Sequence, residues 1–378
     1  MQERGAENAL FSAAGKLFVF FGEKGVNFLF FSLTFAPRFF IIKLKSIPPR
    51  FGVERGFDMY RIGVDLGGTN IAAGIVTEDY RIVRKNSVPT LANERTPEEI
   101  AQTIASLCRA LCEAEKIGMN EIEAIGIASP GLVDADTGVV EYANNLPFHH
   151  FPICDLVRKY TGISAVHAEN DANAAAFGES IAGAAKGTKM SVMITLGTGV
   201  GGGIILDGKA YSGFNHAGGE LGHIVIEKDG VPCTCGRRGC WESYSSATAL
   251  IRMTKEKLEE CQKTGRRTVI ADLLETRGRI TGRTAFDAMR AGDEAAREVV
   301  DTYISYLATG LTNIINIFQP EVVSLGGGIS NEKDNLLTPL IPLVRAEQYG
   351  GELPRCTEIR AAELGNDAGI IGGAFLGQ

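Results

Sequence analysis

Residues 60–76 read YRIGVDLGGTNIAAGIV, and residues 191–206 read SVMITLGTGVGGGIIL. Each is an apolar strand, a glycine turn and a returning strand. In the first, Tyr60–Leu66 runs into the tight turn Gly67-Gly68-Thr69-Asn70 and Ile71–Val76 returns, the pattern of a hairpin. In the second, Ser191–Leu196 precedes the glycine-rich turn Gly197–Gly203, and Ile204–Leu206 is the returning strand. One opening used twice predicts an α/β fold of two duplicated units, with the cleft between them as the natural ligand site.

The intervening segments fit that scheme. Arg81–Val88 supplies a third strand. T-P-E-E at 96–99 offers an N-cap, a proline at the first helical position and a capping-box glutamate. The stripe Ile100, Ile104, Leu107, Leu111 then has helical spacing. Strand Glu123–Ala128 leads to the turn Ser129-Pro130-Gly131, and strand Ala165–Ala168 to a loop Glu169-Asn170-Asp171 before a small-residue helix. Helices fill most of 244–318; strand Glu321–Leu325 and the turn Gly326-Gly327-Gly328 come after them. The division expected is a small α/β domain of residues 59–173 plus 366–378 and a large one of 174–365.

Glycine turns at strand ends let backbone N–H groups approach phosphate oxygens. Gly197, Gly199 and Gly202 match G-x-G-x-x-G, but a dinucleotide fold needs a helix next, and GGIILDG stands there instead. No G-K-[ST] occurs, so a Walker A loop is absent, and protein-kinase signatures are missing. Three turns of this kind, with Asp65 directly before the first, point to phosphate handling from two sides of a cleft.

A second signal lies in ELGH (220–223) followed by CTCGRRGCWE (233–242). His223, Cys233, Cys235 and Cys240 are the soft or borderline ligands of a tetrahedral structural zinc, with no position left for a substrate. Glu220 and Glu242 bracket the stretch. The other five of the eight cysteines are scattered through ordinary helix and loop sequence, the pattern of a reducing cytoplasm with one metal site.

The 378 residues, 45% hydrophobic and 22% charged, suffice for a large core, and a net charge of -7 gives no electrostatic reason to expect nucleic acid or an anionic membrane. Residues 1–58 differ from the rest, holding 12 of the 19 phenylalanines. Their longest uncharged run, which holds 26–37 and begins at Gly25, falls short of the roughly 20 residues a spanning helix needs. They read as an extension outside the catalytic fold, with a membrane-surface role as the alternative. His149, His150, His167 and His216 read as surface or packing residues.

VDLGGTN (64–70), LGTGVGGGI (196–204), ELGH, CTCGRRGCWE and LGGGIS (325–330) together resemble the signature set of the ROK family of repressors and sugar kinases, most nearly its bacterial glucokinase branch. The resemblance covers residues 59–378. It implies the actin-like ATPase fold (ribonuclease H-like) and phosphoryl transfer from ATP to the 6-hydroxyl of glucose, in cytoplasmic carbohydrate metabolism. Asp171 would be the general base; its other reading is the N-cap of the following helix. Asn170, Glu220, Glu242 and His223 would hold the sugar, with Gly131 and Asn144 beside them. His223 would serve metal and sugar through its two nitrogens. Asp65 would order Mg²⁺ through water. Gly67, Gly68, Thr69 and Asn70 would face the phosphates from one side and Gly197, Thr198 and Gly199 from the other, with Gly326, Gly327 and Gly328 against the adenosine.

The resemblance also implies a homo-oligomer, dimer or tetramer, and leaves open a mannose, fructose, allose or N-acetylmannosamine kinase, or polyphosphate as donor. A sugar-sensing repressor of the same family is the other class, but residues 1–58 lack the winged-helix pattern it needs.

Overall fold

The computed structural model describes residues 59–351 and 353–378, together with a short ladder in which β1 (Leu10–Phe11) pairs antiparallel with β2 (Leu17–Phe18). The rest of the 1–58 extension, and with it the readings placed on that segment, lies outside the described residues. Met1–Glu54 and Arg55–Gln378 form two separate units, and both glycine hairpins lie in the second. Among the described residues no helix is long and apolar enough to cross a membrane.

The first glycine hairpin joins β3 (Tyr60–Leu66) to β4 (Asn70–Val76), and β5 (Ile82–Pro89) extends it. Helix α1 (Pro97–Glu115) starts on the expected capping box, with Thr96 and Glu99 bonded reciprocally. Its stripe Ile100, Ile104, Leu107 and Leu111 is buried against the sheet. Strand β6 (Ile122–Ser129) then lies parallel to β3. A small antiparallel sheet of β7 (Leu132–Asp134), β8 (Val139–Tyr142) and β9 (His149–Phe151) precedes α2 (Ile153–Thr161), β10 (Val166–Asn170) and α3 (Asp171–Ala182). The sheet order is β10-β6-β3-β4-β5.

The second half repeats the plan with β11 (Ser191–Leu196), β12 (Val200–Leu206) and β13 (Lys209–Ala210). Helices α4 (Glu242–Ser245), α5 (Ala247–Thr264), α6 (Val269–Arg277), α7 (Thr284–Arg290) and α8 (Glu294–Phe318) come next. Strand β14 (Val322–Gly326), α9 (Asp334–Glu347) and β15 (Glu358–Ala361) complete that sheet, in the order β13-β12-β11-β14-β15. In both sheets the opening strand has an antiparallel partner on one side and a parallel one on the other. This shared topology is the duplication read from the two glycine hairpins. Each sheet has its own core, the second built around Trp241, Phe286 and Tyr303.

The chain ends with α10 (Ala368–Ala374), which packs on α3, β3 and β6 of the first sheet. Glu179, fully buried in α3, accepts hydrogen bonds from the backbone of Ala184, Glu363 and Leu364 at 2.7, 3.2 and 2.8 Å. One carboxylate thus ties together the two segments by which the chain passes between the sheets.

The structure redraws two local boundaries. The second turn is only Gly197–Gly199, because β12 already begins at Val200. Gly203 is a strand residue, where a Cβ would strike the Ala172 carbonyl and the Ala176 methyl at 2.5 Å. Its role is close approach of β12 to α3. Asp171, placed in a loop by its sequence, is instead the first residue of α3.

Candidate active site

Strand register alone brings the first acids together. Asp65 on β3 and Glu169 on β10 both stand opposite Ala128 of β6, and Asn170 stands opposite Ser129. Two inter-strand spacings separate β3 from β10, about 10 Å between backbones, so register sets these residues level on one end of the sheet. Asp65 is pushed up to about 6, first by burial and then by the charge of Asp171. The Asp171 carboxyl, although part of it stays open to solvent, is likewise raised, mainly by the protein packed around it, with Glu220 adding to it from the other half of the chain. Among the described residues neither carboxylate forms an ion pair with a basic side chain, and the influences that raise both are desolvation and other acids.

Asn170 is the N-cap of α3: its Oδ1 accepts from Ala172 N at 2.9 Å and Asn173 N at 3.3 Å. The capping alternative for Asp171 therefore falls to its neighbour. Asn170 also donates Nδ2–H to the Gly131 carbonyl at 3.0 Å. Gly131 has φ +95°, and a Cβ there would collide with the Tyr142 carbonyl. The turn after β6 thus holds Asn170 only because glycine occupies it.

Both hairpin turns are braced by residues that no motif singled out. Gly67 N–H closes the first on Asn70 O at 2.9 Å. Buried Thr90 then donates its hydroxyl to Gly67 O at 2.6 Å and its N–H to Thr69 O at 2.8 Å. In the second turn, Thr248 Oγ1 donates to Thr198 O at 2.7 Å and Ala247 N–H to Gly197 O at 2.8 Å. Asn145 lies against Gly68, whereas its neighbour Asn144 is exposed and makes no hydrogen bond to the other candidate residues among those described. Thr and Asn in loops are too common for their sequence positions to announce such contacts.

Glu242, at the start of α4, accepts Val200 N–H at 3.0 Å and lies against Gly199. Its other oxygen is 3.8 Å from Cys233 Sγ. His223, on a 3-10 turn (Leu221–His223), turns Nδ1 to Cys233 Sγ at 3.6 Å, and Cys235 Sγ is 3.7 Å from Cys240 Sγ. All four ligand atoms lie within 4.8 Å of one another. A tetrahedral zinc with Zn–S bonds of about 2.3 Å has an S···S edge of about 3.8 Å. The cluster has the chemistry and the spacing of that site.

Gly326–Gly328 ends β14, and beside Gly328 opens a cavity of about 410 Å³ lined by Arg283, Arg290, Asn331, Glu332 and Asn335. His216, read from the sequence as a surface or packing residue, is instead paired with Asp134 at 3.1 Å.

Set against known proteins, residues 61–378 match the model of the ROK family. The glucokinase of Thermotoga maritima is 38% identical over 316 residues, 83% of this chain and 96% of that protein. The glucokinase of Halalkalibacterium halodurans is 37% identical over 324 residues, 84% and 95%. The ROK glucokinase of Streptomyces griseus, solved with glucose and AMPPNP, superposes with a TM-score of 0.68 at 36% identity, covering 84% of this chain and 98% of its own. The duplicated sheets are thus the actin-like ATPase fold, and this chain belongs to the ROK family.

Proposed function

We propose that this chain is an ATP-dependent glucokinase, transferring the γ-phosphoryl group to the 6-hydroxyl of glucose with Asp171 as general base. The carrying observation is the position of Asp171: a raised carboxylate, with no ion-pair partner among the described residues, at the head of α3 within range of the charges of Asp65 and Glu220. The family relatives that are glucokinases, one of them holding glucose and an ATP analogue, support the reading.

Phosphoryl transfer asks a protein for positioning and charge neutralisation rather than covalent chemistry. Asp171 takes the hydroxyl proton at its carboxylate; without an acceptor the hydroxyl is a poor nucleophile. Asn170, fixed by Gly131, together with Glu220, Glu242 and His223, orients the ring. Asn144 is retained as a looser contact. The turns Gly67–Asn70 and Gly197–Gly199 hold the phosphates from opposite lobes, and the cavity beside Gly326–Gly328 receives the adenosine. Among the described residues neither Asp65 nor Asp171 has an ion-pair partner, which suits Asp65 to magnesium; the ion would neutralise phosphate charge when bound. Lobe boundaries near 173/174 and 365/366 let the halves close and exclude water.

The test is a hexose panel with ATP and then polyphosphate as donor. Glucose with ATP is expected to give the highest kcat/KM; preference for an N-acetylhexosamine or for polyphosphate overturns the assignment.

The cysteine cluster we assign to a structural zinc that braces the segment between Glu220 and Glu242. Cys235 is exposed, so Cys235→Ser leaves the core intact. The variant is expected to lose stoichiometric zinc and to raise KM for glucose about tenfold, equivalent to ~1.4 kcal/mol of positioning. Metal analysis beside steady-state kinetics checks it; full zinc content would refute the ligand set.

A further inference from the structure

The loop between β13 and the 3-10 turn, residues 211–220, carries Glu220 on its last position. Its tip is not held by burial: Phe214 is 98% exposed. Its backbone bonds stay inside the large lobe, from Tyr211 N to Ile204 O, Gly218 N to Ser212 O and His216 N to Gly213 O, at 2.8, 2.7 and 3.4 Å.

One side chain leaves that lobe. His216, with φ +60°, sets Nε2 3.1 Å from Asp134 Oδ1, and both side chains are about four-fifths buried. A carboxylate only accepts, so Nε2 carries the hydrogen whether the ring is neutral or charged. Nδ1 then faces the Ser212 hydroxyl at 3.5 Å. Asp134 is itself fixed, accepting the N–H groups of Asp136 and Thr137 at 3.0 and 3.2 Å. It closes strand β7, which begins one residue after Gly131, the turn that holds Asn170. The imidazole also lies within electrostatic range of Glu169, a buried carboxylate that accepts from Asn170 N and Asn173 Nδ2 at 2.9 and 3.1 Å. Asp134, Asp136 and Glu169 are the acids around it, all from the small lobe.

We propose that His216 is a positioning residue: a clasp from the sugar loop of the large lobe to Asp134 of the small lobe, fixing Glu220 relative to Asn170 and Asp171. The inference rests on the sugar-kinase reading for its kinetic consequence and on geometry alone for the clasp. Loss of the clasp loosens a binding loop and leaves Asp171 and the phosphate turns in place.

The test uses the full chain. His216→Asn keeps a residue that tolerates φ > 0 but is too short to reach Asp134; His216→Gln places an amide donor near the position of Nε2. The expected result for His216→Asn is KM for the sugar raised about tenfold, KM for ATP unchanged and kcat within about threefold, with His216→Gln close to wild type. Hydrogen exchange gives an activity-independent readout: amides of 211–220 exchange faster in His216→Asn and return to wild-type protection in His216→Gln. Altering His150, whose exposed pair with Glu141 stays within the small lobe, is expected to change neither. Wild-type sugar KM and loop exchange in His216→Asn, or a loss of kcat with KM unchanged, overturns the clasp. If wild-type protein phosphorylates no hexose the kinase reading fails, and the exchange comparison alone then decides the clasp.

Discussion

Asp171→Asn is expected to lower kcat by 10²–10⁴-fold while calorimetric affinity for glucose stays within about threefold of wild type. The two halves of this result have separate causes. Asn has the size of Asp, and its Oδ1 can still accept the Ala172 N–H that Asp171 Oδ1 accepts at 2.8 Å. The cap of α3 is Asn170, so the helix start survives. What disappears is an acceptor basic enough to take a hydroxyl proton. Partial desolvation by the surrounding protein, reinforced by Glu220, raises the Asp171 carboxyl above its ordinary value although the residue stays partly open to solvent, which makes its ionised form a better base. The base works unprotonated, so wild-type kcat/KM falls as pH drops through that raised value. The acid limb should lie above the pH at which an exposed aspartate titrates. A variant within tenfold of wild-type turnover would remove Asp171 from the role.

Much of this architecture is legible in the sequence, and the reason is specific. A strand, a glycine turn and a returning strand is a local pattern, and its recurrence at 60–76 and 191–206 gives the duplication before any tertiary contact is known. The four metal-cluster residues lie within 18 residues, so their spacing survives as sequence pattern. The helix from Thr96 is readable for the same reason, since a capping box is complete in four residues.

The features that escape a sequence reading depend on distant segments meeting. Thr90 braces Gly67 from 23 residues away, Thr248 braces Thr198 from 50, and Glu179 reaches Leu364 across 185. His216 follows β13 and Asp134 closes β7, and nothing local marks either as a partner. The second turn is shorter than its sequence suggests because Gly201–Gly203 resembles turn sequence, whereas these are strand glycines crowded by Thr195, Leu221 and α3 respectively. Asp171 or Asn170 as N-cap is undecidable locally, since both residue types cap well; the bonds from Ala172 N and Asn173 N to Asn170 Oδ1 decide it.

The last expectation concerns stability, and it runs against activity. Asp65 is largely enclosed beside Asp171, without an ion-pair partner among the described residues, and is pushed up from 3.8 to about 6. A carboxyl whose folded-state pKa is raised favours the native state below its unfolded value and forfeits that advantage as pH rises through the folded one. Once both states are ionised, a displacement of this size costs about 3 kcal/mol of folding free energy. Asp65→Asn removes the buried charge and relieves Asp171. In magnesium-free buffer without chelator, so that the cysteine cluster is undisturbed, the variant should therefore unfold at higher denaturant than wild type at pH 7–8, by up to about 3 kcal/mol. The difference should shrink as pH falls from 6 towards 4 and vanish below it. The same substitution should abolish turnover, because the carboxylate that destabilises the free protein is the one we propose for magnesium. Equal stability at pH 7.5, or a gap that widens on acidification, would mean that Asp65 already has a counter-charge in the free protein. A site that keeps two carboxylates unpaired in this way is held at a cost to the fold, and that cost is what leaves it ready for a cationic ligand.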